Sequence, residues 1–145
     1  MKSENSGAVH DERQSILRLY SWMGICLAFV QLAERTLQQA IETVLDDPIV
    51  RLSEQNESAR KQTLGDFLKK LKKRVKLDYD LKERLYDFLR MRNQFVHDLA
   101  EVPGWDLNTI EGRNTSQLFF TELTMEALYI TALFTELHPV LLTPA

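Results

Sequence analysis

The chain has 145 residues, 44% of them apolar and 27% charged, with five glycines, four prolines and one cysteine. That length suits one domain able to bury about two-thirds of its unfolded surface, and so few turn-forming residues leave little room for a β fold. A net charge of −3 excludes a uniformly polybasic nucleic-acid sleeve, and a single cysteine, Cys26, excludes both a disulfide framework and a thiolate zinc site, which fits a reducing cytoplasm.

Residues 1–12 are polar, include Gly7 and lack periodicity, so they read as a flexible tail ahead of one domain over 13–142. From about Asp11 to Leu45, Ile16, Tyr20, Met23, Leu27, Val30, Leu37, Ile41 and Leu45 recur mostly at steps of four and three, the stripe of one long helix. Glu34 is the only charged member of that stripe. The longest apolar run, Trp22–Val30, falls well short of the ~20 residues of a spanning helix. No membrane segment is therefore expected, and the expected location is the cytoplasm. Asp46-Asp47-Pro48 ends the helix, because the residue before a proline is pushed out of the α region. The mixed, polar stretch 48–62 reads as a loop or a short weak helix.

Thr63-Leu64-Gly65-Asp66 has the pattern of a capping box and opens a helix over 64–76. Asp80-Leu81-Lys82-Glu83 has it again and opens a helix that Pro103-Gly104 stops. Asn114-Thr115-Ser116-Gln117 looks like a third start, for a last helix that runs to about Leu137 and stops at His138-Pro139. Its segment from Leu118 to Phe134 is apolar nearly all round, which predicts burial on two sides, in a core and in an oligomer interface. No strand-like alternation occurs. The pattern predicts an all-α, up-and-down bundle of four or five helices.

The helix after Asp80 carries the most informative stretch, "RMRNQFVHDL" at 90–99. At about 100° per residue, Leu81, Leu85, Phe88, Phe95 and Leu99 lie within roughly 60° of Arg92, which places Arg92 in the buried stripe. Tyr86, Arg90, Asn93 and His97 form a second stripe, roughly 100–160° away. An unpaired buried charge costs several kcal/mol, so Arg92 needs a carboxylate, a phosphate or a wet cleft. Glu34 is the anomalous carboxylate of the first helix, and the two are expected to meet.

Arg92-Asn93-Gln94-Phe95-Val96-His97, late on a helix of a small all-α chain, resembles the HEPN superfamily, whose signature is an arginine followed by four to six residues and a histidine. "TLGDFLKKLKK" followed by "LKERLYDFLRMRN" is also similar to the capped helix pair that precedes the motif in many members; the likeness covers roughly residues 63–100. The resemblance implies a HEPN-like bundle that dimerises, with two motif helices facing one cleft. It implies a metal-independent ribonuclease, often a toxin or defence protein, that needs no cofactor. Arg92 and His97 are then the catalytic candidates and Asn93 their polar neighbour, with Arg90, Glu34 and Tyr86 in support. Arg90 satisfies the looser spacing and is nearer His97 on the wheel, so either arginine is a candidate. An antitoxin or nucleotidyltransferase is the implied partner. The tyrosine that such a partner modifies in one group, two residues beyond the histidine, is Leu99 in this chain.

Those residue types suit RNA cleavage. Histidine side chains exchange protons near neutral pH, and a guanidinium donates paired hydrogen bonds to phosphate oxygens while staying charged. Two copies would supply an acid and a base in one cleft, leaving 2′,3′-cyclic phosphate and 5′-hydroxyl ends. Between Arg60 and Lys76, eight basic residues accompany Asp66 alone, and Lys69, Lys70, Lys72, Lys73 and Arg74 are the candidate RNA-binding group. "HD" at 97–98 lacks the further histidines that a metal phosphohydrolase needs, so no metal site is expected. A non-catalytic module of the same shape, binding nucleotide, RNA or protein, is the alternative.

Overall fold

The computed structural model describes residues 4–45, Gly65, Lys69 and 78–141, with side chains described for 7–40, Gly65, Lys69 and 78–136. The fold class is all-α: among the described residues there is no strand. Three long helices, α1 (Glu4–Leu45), α2 (Tyr79–His97) and α3 (Ile110–Leu141), are joined after α2 by a 3-10 turn at Leu99–Glu101. The expected helix over 64–76 lies outside the described residues apart from Gly65 and Lys69, both of them helical.

α1 and α3 run in the same direction. Glu12 lies 3.7 Å from Arg113, and further along both helices Cys26 lies beside Thr124. α2 runs against α3, because Arg84 meets Glu126 while the later Phe95 meets the earlier Phe120, ring centroids 5.7 Å apart. The seam of α1 has two rows. Leu19, Cys26, Ala33 and Ala40 recur every seven residues and are buried, and Val30 and Leu37, with the half-buried Met23, form the second row. Ser116, Phe120, Leu123, Ala127, Ile130 and Phe134 form the facing seam of α3 and are all buried. Alternating steps of four and three hold both seams in register, as in a coiled-coil pair. Each buried Val, Leu or Phe contributes about 1.5–3 kcal/mol.

That seam corrects the sequence-based stripe. Met23, Val30 and Leu37 belong to it, but Tyr20 and Leu27 are 50% and 41% exposed. After Leu19 the row chosen instead holds the small side chains Cys26, Ala33 and Ala40, which leave room for α3 to approach closely. The side chains of Ile41 and Leu45 lie outside the described set.

Several boundaries also differ from expectation. α1 begins at Glu4, so part of the expected tail is helical; its exposed first turns are tethered by the Glu12–Arg113 contact. α2 starts from Asp78, not from a box at Asp80, and without a side-chain cap. It stops at His97, before Pro103-Gly104, which instead forms a turn with Gly104 at φ +78°. α3 starts one turn earlier than Asn114: the Gly112 N–H donates to Thr109 Oγ1 at 3.0 Å, so Thr109 is the cap. α3 also continues past His138-Pro139 to Leu141. Proline already has a helical φ, and in a last turn it forfeits a single hydrogen bond.

By length and composition alone, Gly7–Ala40 and Ile110–Glu136 would each suffice to cross a membrane, a test that core helices of soluble proteins also pass. The expectation drawn from the short Trp22–Val30 run did not register this, because it stopped at the first polar residue.

Candidate functional site

α2 is held through a buried stripe of Leu85, Phe88, Met91 and Phe95. Two arginines flank that stripe, and each reaches a different long helix. On one side Arg92 Nε donates to Glu34 Oε1 of α1, and each side chain keeps 25% exposure. Arg92 Nη1 donates to Asn93 Oδ1 at 3.1 Å. On the other side Arg84 Nη2 and Nε donate to the two carboxylate oxygens of Glu126 on α3, at 3.0 and 3.3 Å. The Arg84 guanidinium also sits 3.5 Å from the centre of the Tyr129 ring. Its hydrogen bond to Glu126 holds the Arg84 pKa above the ordinary arginine value. α2 is thus clasped at both edges.

The Glu34–Arg92 pairing expected from two anomalous charges is present. The clasp at Arg84 was not anticipated, although the wheel contains it: Arg84 falls in the same buried arc as Phe88 and Met91. Its carboxylate partner sits at the edge of the α3 seam, in a segment read only for its apolar residues.

The second stripe of α2 faces solvent. Tyr86, Arg90, Asn93 and His97 are all exposed, and Arg90 lies 3.5 Å from Asp87 in a pair with both side chains 63% exposed. Arg92 and His97 are five positions apart, which at about 100° and 1.5 Å per residue puts them about 140° apart around the helix and about 7.5 Å along it. Arg92 therefore sits at the edge against α1, and His97 points outward at the last turn. Within one chain the two do not converge on a common point. Arg90 and His97 share a face, about 10.5 Å apart along the axis.

A third arginine, this one buried, closes the entry to α3. Arg113 is 7% exposed, its Nη1 donates to Leu107 O at 2.9 Å, and it also approaches Glu12. Gly112 beneath it is tightly covered: a Cβ there would lie 2.0 Å from Asp106 O. The loop between α2 and α3 is pinned in this way, with Trp105 edge-on to Phe120 at 5.8 Å. Among the described residues, no group of three or more His, Cys, Asp or Glu side chains is placed to hold a metal ion. Of the basic group, Lys69 is exposed, whereas Lys70, Lys72, Lys73 and Arg74 lie outside the described residues. No family model, no curated protein and no solved structure matches the chain.

Proposed function

We propose that this chain is a metal-independent endoribonuclease of HEPN type, a four- to five-helix bundle acting in the cytoplasm as a toxin or defence protein. The observation that carries the proposal is the arrangement on α2. Glu34 holds Arg92 at a half-buried edge, Arg92 in turn holds the exposed Asn93, and His97 stands exposed at the last turn of the same helix. One chain leaves that set incomplete, with a guanidinium and an imidazole on different faces. A two-fold pairing of α2 with its copy brings two such sets to one cleft. There one imidazole takes the 2′-hydroxyl proton and the other protonates the leaving 5′-oxygen. The guanidinium groups offset charge on the phosphorane. Lys69 and its basic neighbours would guide the phosphate backbone, and an antitoxin or nucleotidyltransferase would restrain the enzyme.

The test is RNA cleavage in the presence of a chelator. The expected result is fragments ending in 2′,3′-cyclic phosphate, lost in His97→Ala and Arg92→Ala. Intact RNA across varied substrates, or undiminished cleavage by His97→Ala, rejects the proposal.

One observation favours a non-catalytic module that binds nucleotide, RNA or protein through the same surface. Arg92 is already engaged by Glu34, and Arg90 by Asp87. That reading expects binding without turnover, and loss of both binding and stability in Arg92→Ala.

A further inference from the structure

Arg84 and Arg92 both tie α2 to a glutamate, but with different grips. Arg84 uses the whole Nε–Nη2 edge of its guanidinium, one N–H to each oxygen of Glu126, and also lies over the Tyr129 ring. Arg92 gives Glu34 its Nε alone and directs Nη1 to the exposed Asn93. Its Nη2 bonds none of the described residues, and a quarter of the side chain stays open to water. The second donor of the edge that a phosphate bridges in a bidentate pair is therefore unused.

The glutamate is held no more firmly. One turn to either side of Glu34 on α1 stand Val30, Gln31, Leu37 and Gln38, and one turn to either side of Arg92 on α2 stand Phe88, Leu89, Phe95 and Val96. Neither helix offers its own member of the pair a charge at that spacing, and each is the other's one ion-pair partner among the described residues. Glu34 keeps 25% exposure and Gln31 beside it is exposed, so a carboxylate that swings away from Arg92 enters water. The buried Leu85, Phe88, Met91 and Phe95 and the Arg84 clasp still hold α2 when it does.

A phosphodiester does not simply add to this pair. Glu34 already balances the guanidinium charge, and a second anion a few ångströms from the first is repelled. Exchange is what the one-bond grip and the open edge permit.

We infer that Glu34 is a built-in competitor for the phosphate that Arg92 is proposed to receive. In the free chain the carboxylate occupies the guanidinium, and a phosphodiester binds by taking its place. The inference rests on the assignment of Arg92 to a phosphate, and it holds for the catalytic and the binding-only form of that assignment alike. Glu34 is then a restraint on the site.

The probe is a fluorescently labelled 2′-O-methyl RNA oligonucleotide of mixed sequence, which presents phosphodiesters but has no 2′-hydroxyl proton to lose. Its Kd is read by anisotropy on the full chain, cleavage of unmodified RNA with a chelator is followed on the same variants, and circular dichroism checks their folding. Glu34→Gln keeps the shape and loses the charge, and is expected to bind about tenfold tighter than the wild type, a difference of about 1.4 kcal/mol. Glu34→Asp draws the carboxylate back by one methylene and should also tighten binding. Glu122→Gln, which removes an exposed charge from α3, should leave Kd unchanged. In an Arg92→Ala background the gain from Glu34→Gln should vanish. Unchanged or weaker binding by Glu34→Gln and Glu34→Asp overturns the inference even where the wild type cleaves RNA. So does a gain that survives Arg92→Ala or is equalled by Glu122→Gln. A gain that needs Arg92, with RNA left intact by every variant, sustains the inference and removes the catalytic reading. No binding by any variant removes both.

Discussion

The Glu34–Arg92 clasp can be dissected with a double-mutant cycle of Arg92→Ala, Glu34→Ala and the pair together. Exposed ion pairs contribute about 0–1 kcal/mol, while removing one partner of a fully buried pair costs about 3–5 kcal/mol. Both side chains keep a quarter of their exposure, and water reaches the site, so Arg92→Ala is expected to cost about 2 kcal/mol. In a chain of this size that lowers Tm by about 6 °C. Glu34→Ala should cost somewhat less, because the freed guanidinium can extend along the solvent edge of α2 and still bond Asn93 Oδ1. The double variant should then fall short of the sum of the singles by about 1.5 kcal/mol. Urea unfolding followed by helix ellipticity at 222 nm measures all four corners. A coupling below about 0.5 kcal/mol would show that the clasp is an ordinary surface pair, and that Arg92 is free for another partner.

Arg84→Ala removes both bonds to Glu126 and the stacking on Tyr129, but Arg84 is 41% exposed, so the expected cost in urea unfolding is only about 1 kcal/mol. Arg84→Lys should recover less than half of it, since an ammonium group can neither bridge both oxygens nor lie flat on the ring; full recovery would refute the bidentate role. Burial pushes the Cys26 thiol pKa up, so it should resist a thiol reagent in native buffer and react once the chain is unfolded. The folded thiol keeps its proton to higher pH than the unfolded one, so this group's contribution to stability is complete below the ordinary thiol pKa and is lost as pH rises beyond it. Immediate reaction of the native protein would contradict the packing around Cys26. Gly112→Ala forces a methyl into Asp106 O and should cost about 3 kcal/mol or more; an unchanged Tm would mean that the 106–109 loop yields freely.

Helicity was the most legible part of the sequence. Apolar steps of three and four were enough to mark α1, α2 and α3, even though α1 contains Gly24 and α3 contains Gly112 and Pro139. The face of α1 was harder, because two rows competed and the winning one holds Cys26, Ala33 and Ala40. Small side chains carry little hydrophobic signal, yet they decide how near a neighbouring backbone can come. Termini went astray for a related reason. Thr109 caps α3 with one hydroxyl, while the sequence pattern at Asn114 was richer; cap residues mark a place where a helix can start, and the loop pinned by Arg113 chose among them. In the site, Glu34 and Arg92 were readable as two charges in apolar stripes that needed each other. Arg84 with Glu126 obeyed the same logic and escaped notice because neither lies in the motif. The outward direction of His97 followed from angular spacing alone, and helix geometry preserves angles faithfully over five residues.

The parallel course of α1 and α3 bears on how the chain reaches this state. Glu12 meets Arg113 and Cys26 meets Thr124, so the principal seam joins segments about a hundred residues apart in the chain. During synthesis α1 leaves the ribosome complete, with both its apolar rows uncovered, long before α3 exists. Among the described residues that seam is filled by α3, and closing so long a loop precedes most of the burial that rewards it. A chain cut after Trp105 should therefore lack the partner of the α1 seam, and nascent α1 is a segment for holding chaperones to bind.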